Sequence, residues 1–176
     1  MAFKNFFSRK AQAWGMDLMV AVIIFMIAIV SFFLYTLNNP REGTEAIDEL
    51  RYDARIISES IMSAGYPSGW ELSADPGGTV KTIGVLNSFN ENRINDDKLE
   101  EFYNLAVSDY DKTKALFNTK FEYFVSLSSG DMDVGGGVSG IGLDPSSNSP
   151  KNLVRVTRFT IYKDKPVTLY IDVWED

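Results

Sequence analysis

The longest apolar stretch of the chain lies near its N-terminus. The twenty residues 18–37 include no charged side chain. At about 1.5 Å per residue, a helix of this length spans roughly 30 Å, which is the thickness of the hydrocarbon core of a bilayer. The pattern therefore predicts a membrane-length helix over residues 12–37. We expect Pro40, which cannot donate a backbone hydrogen bond, to kink or interrupt the helix at the membrane surface.

A second periodic stretch, residues 40–64, has the spacing of an amphipathic helix. Its apolar positions recur every three or four residues and form one stripe. The stripe consists of Ile47, Leu50, Ala54, Ile57, Ile61 and Ala64. Gly65 followed by Pro67 predicts the end of the helix. Two interpretations stay open: the stripe packs on the sheet of its own domain, or part of it contacts other subunits.

The period of the pattern changes from that of a helix to that of a strand in the last third of the chain. Residues 153–162 and 166–174 are strand-like and flank a short polar turn, which predicts a β-hairpin. The valines, leucine and isoleucine at 167, 169, 171 and 173 share one face of the second strand. Residues 120–127 predict another strand by the same alternation, and residues 79–86 predict a further one.

Between these strands the signals are those of short helices and of a loop. Asn95 is predicted to cap a helix over residues 96–105, and Ser108 to begin a second helix over 109–117. Residues 128–151 are rich in glycine, serine and proline and predict a long mobile loop. The fold class is therefore α+β, with the N-terminal helix continuing into an amphipathic helix that packs on a small antiparallel sheet.

Composition narrows the possible functions. Beyond residue 37 the chain has 14 basic and 23 acidic side chains, which argues against a nucleic-acid partner. It has no cysteine and no histidine, so disulfides, thiolate metal sites and a Ser-His-Asp triad are excluded. No acid pair is singled out as catalytic. We expect no enzyme activity, no cofactor and no metal site, with an anchored acid-dependent hydrolase as the weakest alternative.

Two segments have chemistry of their own to weigh. Asp131 and Asp133 resemble half of a calcium loop, but glycines follow and no glutamate completes it, so a flexible loop is the expected state. The middle of the chain is rich in aromatic residues that are interspersed with acids rather than with cations. We expect these aromatics to form the core, with a sugar-stacking or adhesive surface as the minor interpretation.

The leader has the features of a retained membrane signal. Its three cations precede the apolar run and acids are in excess after it, which places the N-terminus in the cytoplasm and the domain outside the cell. The apolar run is longer than the core of a cleaved secretory signal, and no small-x-small site follows it. We therefore predict a single-pass membrane protein with its polar domain at the cell surface.

The residues around Lys10, Ala11 and Gln12 carry a family resemblance. Arg9 and the three residues after it, followed by Asp17 and an apolar run, resemble the class III, prepilin-type signal peptide of archaeal type IV pilin-like proteins. The segments 56–70 and 94–117 are also similar to archaeal pilin-like proteins, without implying an activity. The resemblance implies that a prepilin peptidase cuts after Ala11 and that the apolar helix stays in the mature subunit.

Asp17 is the single acid near the start of the apolar run. The resemblance implies a glutamate at the fifth mature position, whereas Asp17 is shorter and falls sixth when cleavage follows Ala11. Cleavage after Gln12 would restore the fifth position but would break the small-residue rule. One interpretation is that Asp17 lies in the first helical turn, where the helix dipole favours an anion. The other is that it neutralises the amino terminus of a neighbouring subunit.

These observations combine into one prediction of organisation and function. Residues 1–11 form a basic leader, residues 12–39 a transmembrane and assembly helix, and residues 40–176 an extracellular α+β domain. The resemblance implies a pilin, minor pilin or pseudopilin that assembles with copies of itself or with related pilins into a surface filament. The alternative is an uncleaved, membrane-anchored extracellular binding domain.

Overall fold

The computed structural model describes residues 8–38, 42–73, 75–88, 91–130 and 132–175, and within them groups of helices and groups of strands form an α+β arrangement. The helices are α1 (Ser8–Asn38), α2 (Glu42–Ile61), α3 (Pro76–Thr79), α4 (Asp96–Ser108) and α5 (Tyr110–Phe117). The strands are β1 (Leu86–Ser88), β2 (Glu91–Ile94), β3 (Glu122–Leu127), β4 (Ile141–Gly142), β5 (Asn152–Tyr162) and β6 (Lys165–Glu175).

The chain divides into two units between Gly43 and Thr44. The first unit contains α1, a single helix of 31 residues. The second unit contains the sheet, the remaining helices and one hydrophobic core. The predicted break at Asn39 and Pro40 lies outside the described residues.

Helix α2 supplies its apolar stripe to the core of the second unit. Leu50, Ala54, Ile57 and Ile61 are all at most 1% exposed, so the interpretation that the stripe packs within its own domain is confirmed for these four positions. The two end positions, Ile47 and Ala64, are only half-buried. The helix ends at Ile61, three residues before the predicted end, because Gly65 turns the chain at φ +74°. A Cβ at Gly65 would lie 2.5 Å from Nε1 of Trp70.

The sheet has the order β1-β2-β5-β6-β3-β4. Strands β5 and β6 pair antiparallel along their whole length, from Asn152 opposite Glu175 to Tyr162 opposite Lys165, as the predicted hairpin requires. Lys163 and Asp164 form its two-residue turn, and both have positive φ, which is the type I′ geometry that suits the twist of the strands. The inward side chains of β6 are buried as predicted. One pair of neighbours, β2 and β5, is parallel, so the sheet is not purely antiparallel.

The strand predicted over residues 79–86 is wrong. Thr79 ends the short helix α3, and Thr82 makes only an isolated bridge to Tyr66. The strand pairing begins at Leu86, where β1 turns back onto β2. Val80, Ile83 and Val85 are nevertheless buried, so the apolar pattern marked core positions in irregular chain rather than a strand.

The two middle helices are present, but one cap differs. The Asn95 side chain accepts a hydrogen bond from the amide of Lys98, which confirms its role as the cap of α4. The predicted cap at Ser108 is wrong, because α4 continues to Ser108 and Asp109 caps α5 by accepting from the amide of Lys112. A carboxylate is an equally good N-cap, and one more turn of α4 leaves Asp109 at the boundary.

Most of the aromatic side chains form the core, as predicted. Phe102, Phe117 and Tyr123 pack with ring centroids 5.2 to 6.2 Å apart. Trp70 is fully buried, whereas Tyr66 is 61% exposed and is an exception.

The glycine-rich segment 128–151 is more anchored than a mobile loop. Met132, Val134 and Ile141 are buried, and β4 pairs with β3 within the segment. Met132 and Val138 also form a bridge. Three apolar side chains spaced among glycines therefore fix the segment on the domain.

Candidate functional site

Helix α1 is apolar on every side. Residues Gly15–Leu37 have a mean hydropathy of 2.9, and none of that stretch is buried within the described part of the chain. Its large apolar side chains are between 37% and 73% exposed. At 1.5 Å per residue these 23 residues extend about 35 Å, so α1 is long and apolar enough to cross a membrane.

The backbone of α1 satisfies its own hydrogen bonds, as lipid would require. The Thr36 hydroxyl, a polar group on this surface, donates to the carbonyl of Phe32 at 2.8 Å. This bond back onto the preceding turn hides the hydroxyl from an apolar surrounding. The polar side chain of Thr36 is therefore compatible with a membrane position.

Asp17 is the charged residue of this stretch, and its side chain is exposed. The interpretation that it lies in the first helical turn is wrong for the full chain. Helix α1 begins at Ser8 and has no acid in its first turn, so Asp17 lies more than two turns from the helix start. The favourable effect of the helix dipole on an anion fades within the first turn. The dipole therefore gives Asp17 no stabilisation there.

Lys10, Ala11 and Gln12 lie in the same helix as Asp17, with helical backbone throughout. The step from Gln12 to Asp17 is five residues, which is a rise of about 7.5 Å and a rotation of about 140°. Residues so placed do not share a helix face, unlike residues three or four apart. The structure thus places all four predicted residues on one helix, but Asp17 and Gln12 lie on different faces of it.

The domain contains an ion pair that the sequence did not indicate. The Arg155 guanidinium donates two hydrogen bonds to the Asp172 carboxylate, at 2.6 and 2.7 Å. Asp172 is 1% exposed, and the Arg155 guanidinium also lies 5.1 Å from the Tyr170 ring centroid. Asp172 raises the pKa of Arg155 through this hydrogen bond. Only the register of β5 on β6 brings these residues opposite each other.

Two tyrosines of the core are held neutral. The Tyr123 hydroxyl bonds to that of Thr113, and the Tyr110 hydroxyl accepts from the amide of Tyr123 at 3.0 Å. Burial is the main cause that raises the pKa of both phenols above their ordinary value. These hydroxyls therefore serve as hydrogen-bonding groups of the core rather than as bases.

The half calcium loop is only partly within the described residues, because Asp131 lies outside them. Asp133 forms an ion pair with Lys163 of the hairpin turn, and this contact lowers the pKa of Asp133. Within the described ranges, no three potential metal-binding side chains come together. The expectation that the chain has no metal site and no enzyme activity stays a prediction.

Comparison with known proteins gives no match, either to a family model, to a curated protein or to a solved structure. The family resemblance therefore rests on the sequence patterns of the leader, of α1 and of the segments 56–70 and 94–117.

Proposed function

We propose that the chain is a pilin-like structural subunit, which is anchored and later assembled through α1. The observation that carries the proposal is the pairing of a helix apolar on all sides with a domain that buries its own core. Such a helix needs an apolar cover from outside the chain, either lipid or other helices. A bundle of α1 helices from several subunits would supply this cover in a filament.

Processing would prepare the helix for this bundle. A prepilin peptidase at the cytoplasmic side would cut between Ala11 and Gln12, removing the basic leader and leaving a new amino terminus on α1. The N-terminus would face the cytoplasm and the domain would lie outside the cell, because cations precede the apolar run. The mature subunit would keep both α1 and the domain, in which the apolar stripe of α2 is buried.

Asp17 would then pair with a neighbouring subunit. A buried amino terminus needs a counter-charge, and the 140° rotation between Gln12 and Asp17 turns the carboxylate away from its own terminus. The amino terminus of an axially shifted neighbour is therefore the better partner. A buried ion pair of this kind roughly breaks even against desolvation, so it would set the stagger of the helices rather than add much stability.

The mature N-terminus tests processing. Mass spectrometry of protein from membranes should find Gln12 as the first residue. Ala11→Arg should leave the leader attached, whereas Ala2→Arg, the same substitution upstream, should be processed as wild type. A first residue at Ala13 would move the cut and place Asp17 four residues on, on the same helix face as its own terminus. A chain that still begins at Met1 or Ala2 would refute the pilin-like function.

Asp17 variants test assembly separately. Asp17→Asn should insert and be cleaved normally but yield few filaments in sheared surface fractions, and Asp17→Glu should restore them. Normal filament yield from Asp17→Asn would show that the charge has no pairing role.

The second candidate is an uncleaved anchored domain that binds a partner at the cell surface. The self-contained core of the second unit favours it, because the domain does not need neighbours to bury its apolar face. Retention of the leader together with normal surface exposure would select this candidate.

A further inference from the structure

Strand β5 has one paired edge and one open edge. Strand β6 pairs with it from Asn152 to Tyr162, whereas β2 reaches it only where Arg93 faces Ile161. Within the described ranges, no strand pairs with residues 152–158 on the side away from β6. Open edges of this kind are the templates on which extended peptides add as a further strand.

The hairpin turn determines which backbone groups face the open edge. A two-residue turn makes Tyr162 and Lys165 a hydrogen-bonded pair, so the even-numbered residues of β5 bond to β6. The odd-numbered residues therefore direct their N–H and C=O groups outward. The Phe159 carbonyl agrees, because it accepts a hydrogen bond from the Asn92 side chain at 2.6 Å. Leu153, Arg155 and Thr157 thus present three amides and three carbonyls along this edge.

A groove of about 780 Å³ continues this open edge toward α2 and β1. Its walls include the apolar side chains of Met62, Leu86 and Phe159. Phe159 is 75% exposed, which is unusual for a phenylalanine in a strand. The open edge and the groove together form a site that we call the β5 groove, with backbone donors along one side and apolar walls at its end.

The charged side chains that line the groove are one arginine, Arg158, and one acid, Glu59. Residues 38–150 contain 19 acidic and nine basic side chains, whereas β5 contains two arginines and no acid. The Arg155 charge is bound by Asp172. The Arg158 guanidinium lines the groove, is half-buried, and donates from Nε to the buried Ser58 hydroxyl at 2.6 Å.

Arg158 is therefore the charge that a ligand would meet. No carboxylate of the described residues lies within 4.0 Å of its guanidinium. Glu59 is the acid of the groove lining, and it is paired with Arg55 at 2.8 Å. The terminal amino groups of Arg158 form a planar fork that suits a carboxylate.

We infer that the β5 groove binds an extended acidic peptide segment of a partner protein as an added strand. Its backbone pairs with Leu153, Arg155 and Thr157, and a carboxylate on its inward side reaches Arg158. Apolar side chains on its outward side lie beside Phe159. All residues of this surface belong to the second unit, and the inference does not rest on the proposed assembly.

The test uses the full chain in detergent micelles and labelled seven-residue peptides, with binding followed by fluorescence anisotropy. The acidic probe alternates valine and glutamate, the neutral probe alternates valine and glutamine, and a third probe has proline at its centre. We expect the acidic probe to bind about tenfold more tightly than the neutral probe, as a charge-assisted hydrogen bond would give. The proline probe should not bind, because it cannot complete the strand ladder.

Variants of the protein complete a double-mutant cycle. Arg158→Gln should weaken the acidic probe about tenfold and leave the neutral probe unchanged. Arg51→Gln removes the same charge at an exposed site of α2 and should change neither. Thr157→Pro should abolish binding of both, because it removes an outward amide. A thermal melt checks that each variant is folded, and the comparison of probes on wild-type protein needs no variant.

Four results would overturn the inference. Equal binding of the acidic and neutral probes would refute the role of charge, and tight binding of the proline probe would refute strand addition. Absence of binding at millimolar peptide would refute the site. If Thr157→Pro instead abolishes self-association of a protein that binds no probe, the edge belongs to a second copy of the chain and the inference fails.

Discussion

Helices α1 and α2 contain the same kinds of apolar residue, but these side chains are buried in α2 and exposed in α1. Ile57 in α2 is 0% exposed, and Ile24 in α1 is 62% exposed. The difference is not one of helix formation, because both segments are helical. Helix α2 has apolar residues on one face and a sheet to bury them, whereas α1 has them on all faces. The comparison shows that α2 completes a domain and that α1 depends on a surrounding from outside the chain.

Removal of α1 should have the largest effect. It should change where the protein is found in the cell and leave the folding of the domain unchanged. A chain of residues 40–176 should leave the membrane fraction completely and melt in one cooperative transition that a chelator does not change. The reason is that every buried residue of the core cluster lies in the second unit. Ultracentrifugation and circular dichroism provide the measurements. A product that binds hydrophobic dyes and has no cooperative melt would show that the domain needs α1.

The same substitution in the two helices should separate core from surface. Ile57→Ala should lower the free energy of unfolding of the domain by about 3 kcal/mol, because it leaves a cavity in a packed core. Ile24→Ala, its matched control, should leave that free energy unchanged. Urea unfolding of the full chain in micelles, followed by the fluorescence of the buried Trp70 and Trp174, measures both. Equal losses would mean that α1 is part of the domain core.

High pH should destabilise the domain through its buried tyrosines. Burial raises the pKa of Tyr110 and Tyr123 in the folded state, so these phenols ionise first in the unfolded chain. Their stabilising contribution is complete below the unfolded pKa of about 10 and is lost as pH rises toward the folded pKa. The free energy of unfolding should fall by about 1.5 kcal/mol between pH 9 and 10.5. Urea titrations at several pH values measure this slope.

A variant that lacks only the Tyr123 hydroxyl tests the pH prediction further. Tyr123→Phe should be less stable at pH 7, because it loses the hydrogen bond to Thr113, but should have a shallower decline above pH 9. Tyr52→Phe removes an exposed phenol and should behave as wild type. An unchanged slope in Tyr123→Phe would assign the decline to other groups.

We expect the smallest effects from substitutions that remove single polar contacts, at the cap of α5 in the domain and at Thr36 in α1. Asp109→Ala should cost about 1 kcal/mol of domain stability, because the first amides of α5 lose their cap. Ser108→Ala should cost less, since the Ser108 hydroxyl only bonds back to Leu105. Thr36→Val, which removes a local hydrogen bond from α1, should change neither domain stability nor membrane insertion. A larger loss for Ser108→Ala than for Asp109→Ala would restore the cap predicted from sequence.

Local patterns determined the parts of the fold that the sequence could predict. The hairpin follows from two alternating runs around a two-residue turn, and the stripe of α2 from its period. The strand β2 was not predicted, because Glu91 to Ile94 is short and polar and is placed by Leu86 and Ile161 rather than by its own pattern. The strand prediction over residues 79–86 was wrong for the opposite reason. The buried apolar side chains of this irregular segment have the same sequence pattern as a strand.

Of the two candidate sites, one could be predicted from local sequence and the other could not. The apolar run and its single acid are contiguous in sequence, so Asp17 could be singled out. The β5 groove combines residues from α2, β1, β2 and β5, and Arg158 and Ser58 are 100 positions apart. The sequence gives no sign that β2 meets β5 at one position only. The groove could therefore not be predicted from the sequence, because it depends on the register of strands that are far apart in the chain.

The place of β6 in the sheet affects how the protein is made. It lies between β5 and β3, yet it is the last strand in the chain, whereas α1 is the first helix. At about 5–20 residues per second, synthesis of residues 38–175 takes roughly 7–28 seconds. Throughout this interval α1 is already complete while the sheet lacks its middle. Synthesis thus completes α1 early and the domain late, because the sheet cannot close before β6 has been made.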